Sequence, residues 1–414
     1  MKISLPQLLW YGNSLLEIDL PDQWEVEYCP MRGASRPEIT RKQAKAAILR
    51  PIAADPIREM ARGKKKAVII FDDMTRPTRT YELAPVVLKE LQAGGIREED
   101  ITFVCALGCH GALTQHEFRK KLGEDILRRY RVFNHNPYEN CVEVGTTRFG
   151  TKVMINREVV DADLRIAIGC VTAHPHAGFS GGGKIVLPGV AHIDTITHHH
   201  VDVEAQAPET MGLGNFDNNI FRFNIEEAAR MAGLDFKVDV LFNGRGAATD
   251  VFSGEFLASH AQAVAAAKDV YAVDPEPAGK QLVIANAFAK ANEMALAVQV
   301  GGRALGENGG TIVVIANSPE GQVPHYLVGR FGQDYGGRLY PVAAVPSHIK
   351  IIIQSPQWDK TVADWFSNPE SITFTRSWAE TLDILEKKFG PGTKTAVIPQ
   401  ATMIYYTPSG ASRK

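Results

Sequence analysis

The sequence predicts an α/β protein of two α/β domains, with mainly parallel sheets and an interdomain active-site cleft. Three observations carry this expectation. Short apolar, β-branched runs alternate with helical patterns, as they do where parallel strands are joined by crossover helices. A chain of 414 residues is long enough to bury two full cores. The alternation is interrupted once, by VDPEPAG at 273–279, and then resumes. The boundaries that follow are 1–272 for an N-terminal α/β domain holding the chemically distinctive motifs and 273–414 for a C-terminal α/β domain contributing to the cleft.

The first apolar run, 67–71, predicts a strand, and the basic run Arg62-Gly63-Lys64-Lys65-Lys66 before it reads as a solvated helix-to-strand connection. A helix over 81–94 and a strand over 101–107 follow, then a second helix whose start is marked by Thr114 and Glu117 as a capping-box pair. Residues 144–156 predict a hairpin turning at Gly150, 164–171 a third strand, 216–233 an amphipathic helix and 238–242 a further strand. Beyond the linker, strands are expected at 282–285, 311–316, 351–354 and 395–399. A helix capped by Ser377 with Glu380 and ending at Gly390-Pro391 precedes the last of them.

A net charge of −2, with basic residues spread along the chain, argues against a nucleic-acid partner. No apolar run reaches the roughly 20 residues a membrane-spanning helix needs, so no membrane partner is expected. Pro6 and Gly12 break up the first residues, which do not read as a signal peptide. Five cysteines, an odd number with no CxxC pair, suggest free thiols in a reduced, cytoplasmic setting.

Candidate chemistry concentrates in AHPHAGFSGGGKIVLPGVAHIDTITHHH, residues 173–200, which packs six histidines, five glycines and Lys184 into 28 positions. Such a crowd of proton-moving and metal-ligating groups points to a site rather than to packing. Two further clusters follow predicted strands: Asp72, Asp73, Thr75, Arg76 and Pro77 after the first, and Gly108, Cys109 and His110 after the second. In an open parallel sheet, ligands sit beyond the carboxyl ends of the strands, so neighbouring strands would bring the three clusters together. Each has a bland alternative. Asp73 could cap a helix and pair with Arg76, His110 could be a satisfied loop residue and His116 a solvated helix residue, and His135, His260, His325 and His348 have no supporting context. Gly178–Lys184 also satisfies G-x-x-x-x-G-K, but Ile185 stands where a magnesium-binding hydroxyl is needed and the strand-like IVLPG follows, which argues against nucleoside-triphosphate hydrolysis. A zinc triad drawn from His198, His199 and His200 with His174 or His176 is conceivable, although H-E-x-x-H spacing is absent.

Taken in order, these motifs resemble the nickel-dependent lactate racemase family, whose members are nickel-pincer nucleotide racemases and epimerases of 2-hydroxy acids. DDMTRP is similar to its D-x-T-R-P, ALGCHGALTQHE to its A-x-G-x-H-x-x-x-T-x-x-E, and HPHAGFSGGGKIVLPG to its H-x-x-A-G-F-S-G-G-x-K-x-x-L-P-G. Thr195 to His200 matches T-I-x-x-x-H, and GNFDNNIFRFNIEEAARMAGLDF continues the likeness through the first two-thirds of the chain.

The resemblance implies a nickel-pincer nucleotide, a pyridinium-3,5-bisthiocarboxylic acid mononucleotide carrying nickel, joined covalently to Lys184, with His200 as the protein ligand to nickel. It further implies His110 and His174 as the two acid–base residues and Arg76 as the group binding the substrate carboxylate. Asp73, Thr75, Ser180, Gly181 and Gly182 fall around the cofactor. Hydride would pass reversibly from the substrate through a transient 2-keto acid. The cofactor-building enzymes are implied as partners, beside the small-molecule 2-hydroxy acid, and homo-oligomerisation is left open. Four positions depart from the lactate enzymes: Gly111 and Gly183 stand where arginine is common, and Ala295 and Val298 where a glutamine and a lysine help bind substrate. Lys290 or Arg303 would have to substitute. The expected substrate is therefore a 2-hydroxy acid larger than lactate, such as a dicarboxylate or a sugar acid. The competing readings are a zinc-type metallohydrolase built on the histidine cluster and a non-catalytic protein that stores nickel or the nucleotide.

Overall fold

The structure, a computed structural model, describes residues 1–328, 345–357 and 359–407. The chain forms two compact units, one of Pro37–Phe242 and Ala247–Lys268, the other of Met1–Arg36, Asn243–Gly246 and Asp269–Lys414. It opens in the second of these with a hairpin, β1 (Lys2–Pro6) and β2 (Leu15–Asp19), followed by β3 (Glu25–Tyr28). The linear division at residue 272 places these three strands with the N-terminal half. In the structure they join the C-terminal half, a long-range packing that no local sequence pattern announces.

The unit holding the motifs is built on β4 (Ala67–Asp72), β5 (Ile101–Ala106), β6 (Arg131–Asn134), β9 (Leu164–Cys170), β12 (Phe236–Phe242) and β13 (Ala248–Gly254). Between β6 and β9 lies the expected hairpin of β7 (Cys141–Thr146) and β8 (Lys152–Asn156), with Gly150 at φ +82° in its turn. Two-residue strands β10 (Ala173–His174) and β11 (Gly178–Phe179) frame the glycine motif. The sheet order is β13-β12-β9-β4-β5-β6, parallel throughout except for the antiparallel edge pair β12 and β13. Every residue of β4 is buried, as expected of a central parallel strand covered on both faces. Helix Thr80–Ala93 returns the chain from β4 to β5 and buries Leu83, Ala84, Val87, Leu88 and Leu91, a stripe at helical spacing. Helix Gln115–Leu122 begins with both bonds of the Thr114–Glu117 capping box in place.

Two elements of this unit differ from expectation. The helix foreseen over 216–233 spans Ile220–Met231, because the Asn219 side chain accepts the Arg222 N–H at 2.9 Å and starts the helix there. The strand-like IVLPG is not a strand. Gly182–Ile185 form a 3-10 turn, and Val190 N–H donates back to Val186 O at 3.0 Å, so the segment stays coiled.

The other unit adds β14 (Ala272–Val273), β15 (Leu282–Asn286), β16 (Gly310–Ile315), β17 (Ile349–Gln354), β18 (Ile372–Thr375) and β19 (Lys394–Ile398). Its main sheet runs β18-β17-β16-β15-β19-β3 and is parallel throughout. The opening hairpin has an apolar reason to be here: Ile3, Leu5, Ile18 and Trp24 pack in one core with Ile284, Val313, Ile352, Val397 and Leu385. VDPEPAG lies inside this unit, between β14 and β15.

Candidate active site

The three clusters end adjacent strands. β9 pairs with β4 and β4 with β5, so the loops carrying His174 and Lys184, Asp73 and Arg76, and His110 emerge side by side at the carboxyl edge. The loop after β5 packs directly on the segment after Lys184: Gly108 N–H donates to Gly189 O at 2.8 Å, and a Cβ on Gly108 would lie 3.3 Å from Pro188.

The DDMTRP loop is held by its two aspartates. Asp72 accepts Lys121 Nζ and Thr78 Oγ1, each at 2.6 Å, and Lys121 also donates to Arg76 O at 3.2 Å. Asp73 accepts the Thr75 N–H at 2.9 Å on one oxygen, and its other oxygen lies 2.6 Å from His110 Nδ1. Burial opposes the charge on Asp73, but the His110 charge and hydrogen bond, the Arg76 charge and the Thr75 hydroxyl outweigh it and hold the carboxyl below its usual range. An ionised carboxylate only accepts, so His110 Nδ1–H donates to it, and in the neutral ring the lone pair is on Nε2. Asp73 caps no helix here, since helix Thr80–Ala93 follows Arg79. Arg76 is anchored through Nη1 on Thr75 O at 3.1 Å and Thr75 Oγ1 at 2.8 Å.

His174 is oriented differently. Its Nδ1 accepts the backbone N–H groups of His176 and Ala177, both at 3.2 Å, which puts the proton of the neutral ring on Nε2. His176 is tied to Glu204 at 3.0 Å and stacks on Phe221.

Phe221, fully buried on helix Ile220–Met231, gathers the rest. The rings of His199 and His200 lie 3.7 and 4.9 Å from its centroid, and Lys184 Nζ lies 5.9 Å away. His200 sits in a π-helical turn, His199–Val203, a distortion that recurs at functional sites. Its Nδ1 is 2.9 Å from Ile196 O, so Nδ1–H donates to that carbonyl and Nε2 is left with a lone pair, the arrangement of a metal-ligating imidazole. His198 and His199 turn elsewhere, to Thr151 Oγ1 and Asn224 Nδ2, each at 2.9 Å. Burial, with the nearby His200, Lys184, His176 and Arg222 charges, holds His199 well below the usual histidine range.

The glycine turn is shaped from behind. Gly181 and Gly182 have φ of +85° and +55°, in the left-handed region. Ser180 spends its hydroxyl on Cys170 O at 3.1 Å and on the Thr172 N–H at 2.9 Å. Gly182 N–H donates to Asp239 Oδ2 at 3.0 Å, and Arg222 donates to Phe179 O at 2.7 Å and Gly181 O at 3.3 Å. Gly183 faces helix Ile220–Met231, where an added Cβ would come 2.8 Å from the Ala229 methyl. Lys121, Phe221, Arg222, Asp239 and His260 escape the sequence reading. Only Asp239 carries a local signal, a charge in the otherwise apolar run VDVLF.

In the other unit, Ala295 and Val298 are half-buried on helix Ala295–Ala304. Lys290 is fully buried, and Arg303 is engaged by Glu276 at 2.8 Å and lies over the Tyr406 ring.

Residues 11–212 match the lactate racemase N-terminal domain. The lactate racemase of Thermoanaerobacterium thermosaccharolyticum is 29% identical over 320 residues, covering 75% of this chain and 74% of that protein. The lactate racemase of Lactiplantibacillus plantarum is 30% identical over 275 residues, covering 66% of this chain and 64% of that protein. Among solved structures, the lactate racemase apoprotein of T. thermosaccharolyticum matches with a TM-score of 0.74 at 23% identity, over 98% of this chain and all of that one. A Thermotoga maritima protein matches with a TM-score of 0.66 at 18% identity, over 90% of this chain and all of that one. At these identities the two structures establish the shared α/β fold.

Proposed function

We propose that this chain belongs to the lactate racemase family and that it racemises or epimerises a 2-hydroxy acid with a nickel-pincer nucleotide attached at Lys184. The observation that carries this reading is the meeting of Lys184 and His200 around Phe221, with His200 Nδ1–H donated to Ile196 O.

The residues present fit the group. An amine for covalent attachment stands at the end of a glycine turn packed closely against His260 and helix Ile220–Met231. The His200 imidazole would complete a sulfur and carbon donor set of the kind that suits nickel. When bound, the cofactor supplies reversible hydride acceptance, which converts the 2-hydroxy acid into a 2-keto acid and back. The protein does the rest. Arg76, anchored on Thr75, pairs with the substrate carboxylate. His110, its tautomer fixed by Asp73, takes the hydroxyl proton at Nε2, while His174 presents Nε2–H to the substrate oxygen. Each turnover needs one ring to accept a proton and the other to return one, and the two exchange these roles when the reaction runs in reverse.

The zinc-hydrolase reading draws less support, since His198, His199 and His200 turn to three different partners. A substrate larger than lactate is supported by Gly111 and Gly183, which stand where the lactate enzymes commonly have arginine, and by Ala295 and Val298, which stand where a glutamine and a lysine help those enzymes bind substrate. No helix among the described residues is long and apolar enough to cross a membrane, and no disulfide joins the five cysteines. The cofactor-building enzymes would load Lys184 in the cytoplasm.

Intact-mass and nickel analysis of protein produced with and without those enzymes tests the reading. Active protein should carry the nucleotide's added mass and nickel; Lys184→Ala should lose the covalent mass, and His200→Ala should lose nickel while staying folded. A fully active enzyme of unmodified mass would overturn the assignment.

A further inference from the structure

Lys237, Asp239 and His260 are 0%, 0% and 2% exposed and form one connected set behind the glycine turn. Lys237 Nζ lies 2.7 Å from Asp239 Oδ1, while Oδ2 takes His260 Nδ1 at 3.1 Å and Gly182 N–H at 3.0 Å. Burying such charges is expensive, and apolar replacements of buried ion pairs are often neutral or stabilising. A role in stability alone is therefore a poor explanation for the set.

Its placement supplies a better one. Asp239 pairs in register with Gly169 on β9, and Asp72 follows Phe71, which pairs with Ile168, so Asp72, Gly169 and Asp239 form a row across β4, β9 and β12. Gly169 has no side chain to separate its neighbours. A Cβ there would sit 3.2 Å from both Lys237 Nζ and Asp72 Oδ2. At one end of the row, Asp72 holds the loop of Arg76 through Lys121 and Thr78; at the other, Asp239 holds the turn of Lys184 through Gly182. The His260 ring forms a wall behind this turn, since Cβ atoms on Gly181 and Gly182 would approach it to 3.0 and 2.6 Å. A turn with two left-handed glycines is intrinsically loose, and Lys184 can be placed reproducibly only if something fixes the backbone before it.

We propose that Asp239, supported by Lys237 and His260, is a positioning residue that locks Gly182 and thereby sets the Lys184 amine for attachment of its cofactor. The second half of this statement rests on Lys184 as the attachment point; the first does not. The test compares Asp239→Asn with Asp239→Ala, each combined with Lys237→Met so that no unpaired charge is left buried. Asparagine keeps an acceptor for Gly182 N–H, and alanine does not. Hydrogen exchange of the peptide spanning 178–189 should be at least about tenfold faster in the alanine pair than in the asparagine pair. Peptides of β9 and β12 should stay equally protected in both. After loading, the adduct at Lys184 should form in the asparagine pair and be lost in the alanine pair. His260→Ala, which keeps both charges, is an independent arm and should loosen the same peptide. Equal exchange in the alanine and asparagine pairs, or an unchanged turn in His260→Ala, would overturn the proposal. Absence of adduct in the parent protein would instead count against Lys184 as the attachment point and leave the exchange result standing.

Discussion

His110 and His174 acquire opposite protonation patterns from different partners. His110 leans on a buried carboxylate that stays ionised, whereas His174 accepts two backbone N–H groups. Replacing either with alanine should slow interconversion in both directions by about 10²- to 10⁴-fold, the usual loss for one general acid–base group. Initial rates from each enantiomer, measured with fully loaded protein, check this. Rates unchanged in both directions for either variant would show that the replaced ring does not handle protons. His110, His174, Lys184 and His200 stand out in the sequence as candidates because each lies in a motif with little other reason to exist. The partners that set their states do not. Asp73 declared itself as part of DDMTRP, but Lys121 is one of several cations on an amphipathic helix, and His260 lies far along the chain. Nothing local distinguishes either from a solvated side chain.

At the scale of elements, the loops around the site are pinned by histidines that the fold keeps neutral. His135 is pushed down to about 4 by burial, against the favourable Ala191 carbonyl, and His260 to about 4 by burial and the Arg222 charge, against Asp239. Both are titrated more readily in the unfolded chain, where histidine has its ordinary value near 6.5. Their effect on stability is therefore nil above that pH, grows as pH falls and is complete near pH 4. Each should cost roughly 3 kcal/mol across that window. Asp73 and Asp239, both held below the usual carboxylate range, withdraw their own contributions only below about pH 4. Urea unfolding at intervals between pH 7 and 4 should show a steep loss of stability, reduced in a His135→Gln variant; a flat profile would contradict the burial of these rings as neutral groups. The buried strands were legible because a central parallel strand is apolar on both faces, as in residues 67–71 and 164–170. The edge strand β13 was not, since ATDVFSG mixes polar and apolar residues. The segment after Lys184 was misread for the reverse reason: IVLPG has the composition of a strand, but its carbonyls are drawn back into a turn.

At the scale of the molecule, chain order and spatial order part company. The first 36 residues complete the sheet formed by the last third of the chain, and β3 pairs with β19 across almost its full length. Sequence periodicity reports on neighbours, so the two α/β patterns could be read while the exchange of β1 to β3 between them could not. The site behaves in the opposite way. Its loops come from three successive predicted strands that prove to be adjacent, so the motifs that looked coincident in sequence meet in space. That convergence underlies the central claim, that this isomerase interconverts the enantiomers or epimers of a 2-hydroxy acid. The most direct measurement incubates cofactor-loaded protein with enantiopure lactate, malate and a panel of sugar acids, and follows each by chiral chromatography. The account predicts interconversion, fastest for an acid larger than lactate. Lactate as the best substrate would contradict the reading of Gly111, Gly183, Ala295 and Val298, and no interconversion of any 2-hydroxy acid would contradict the function itself.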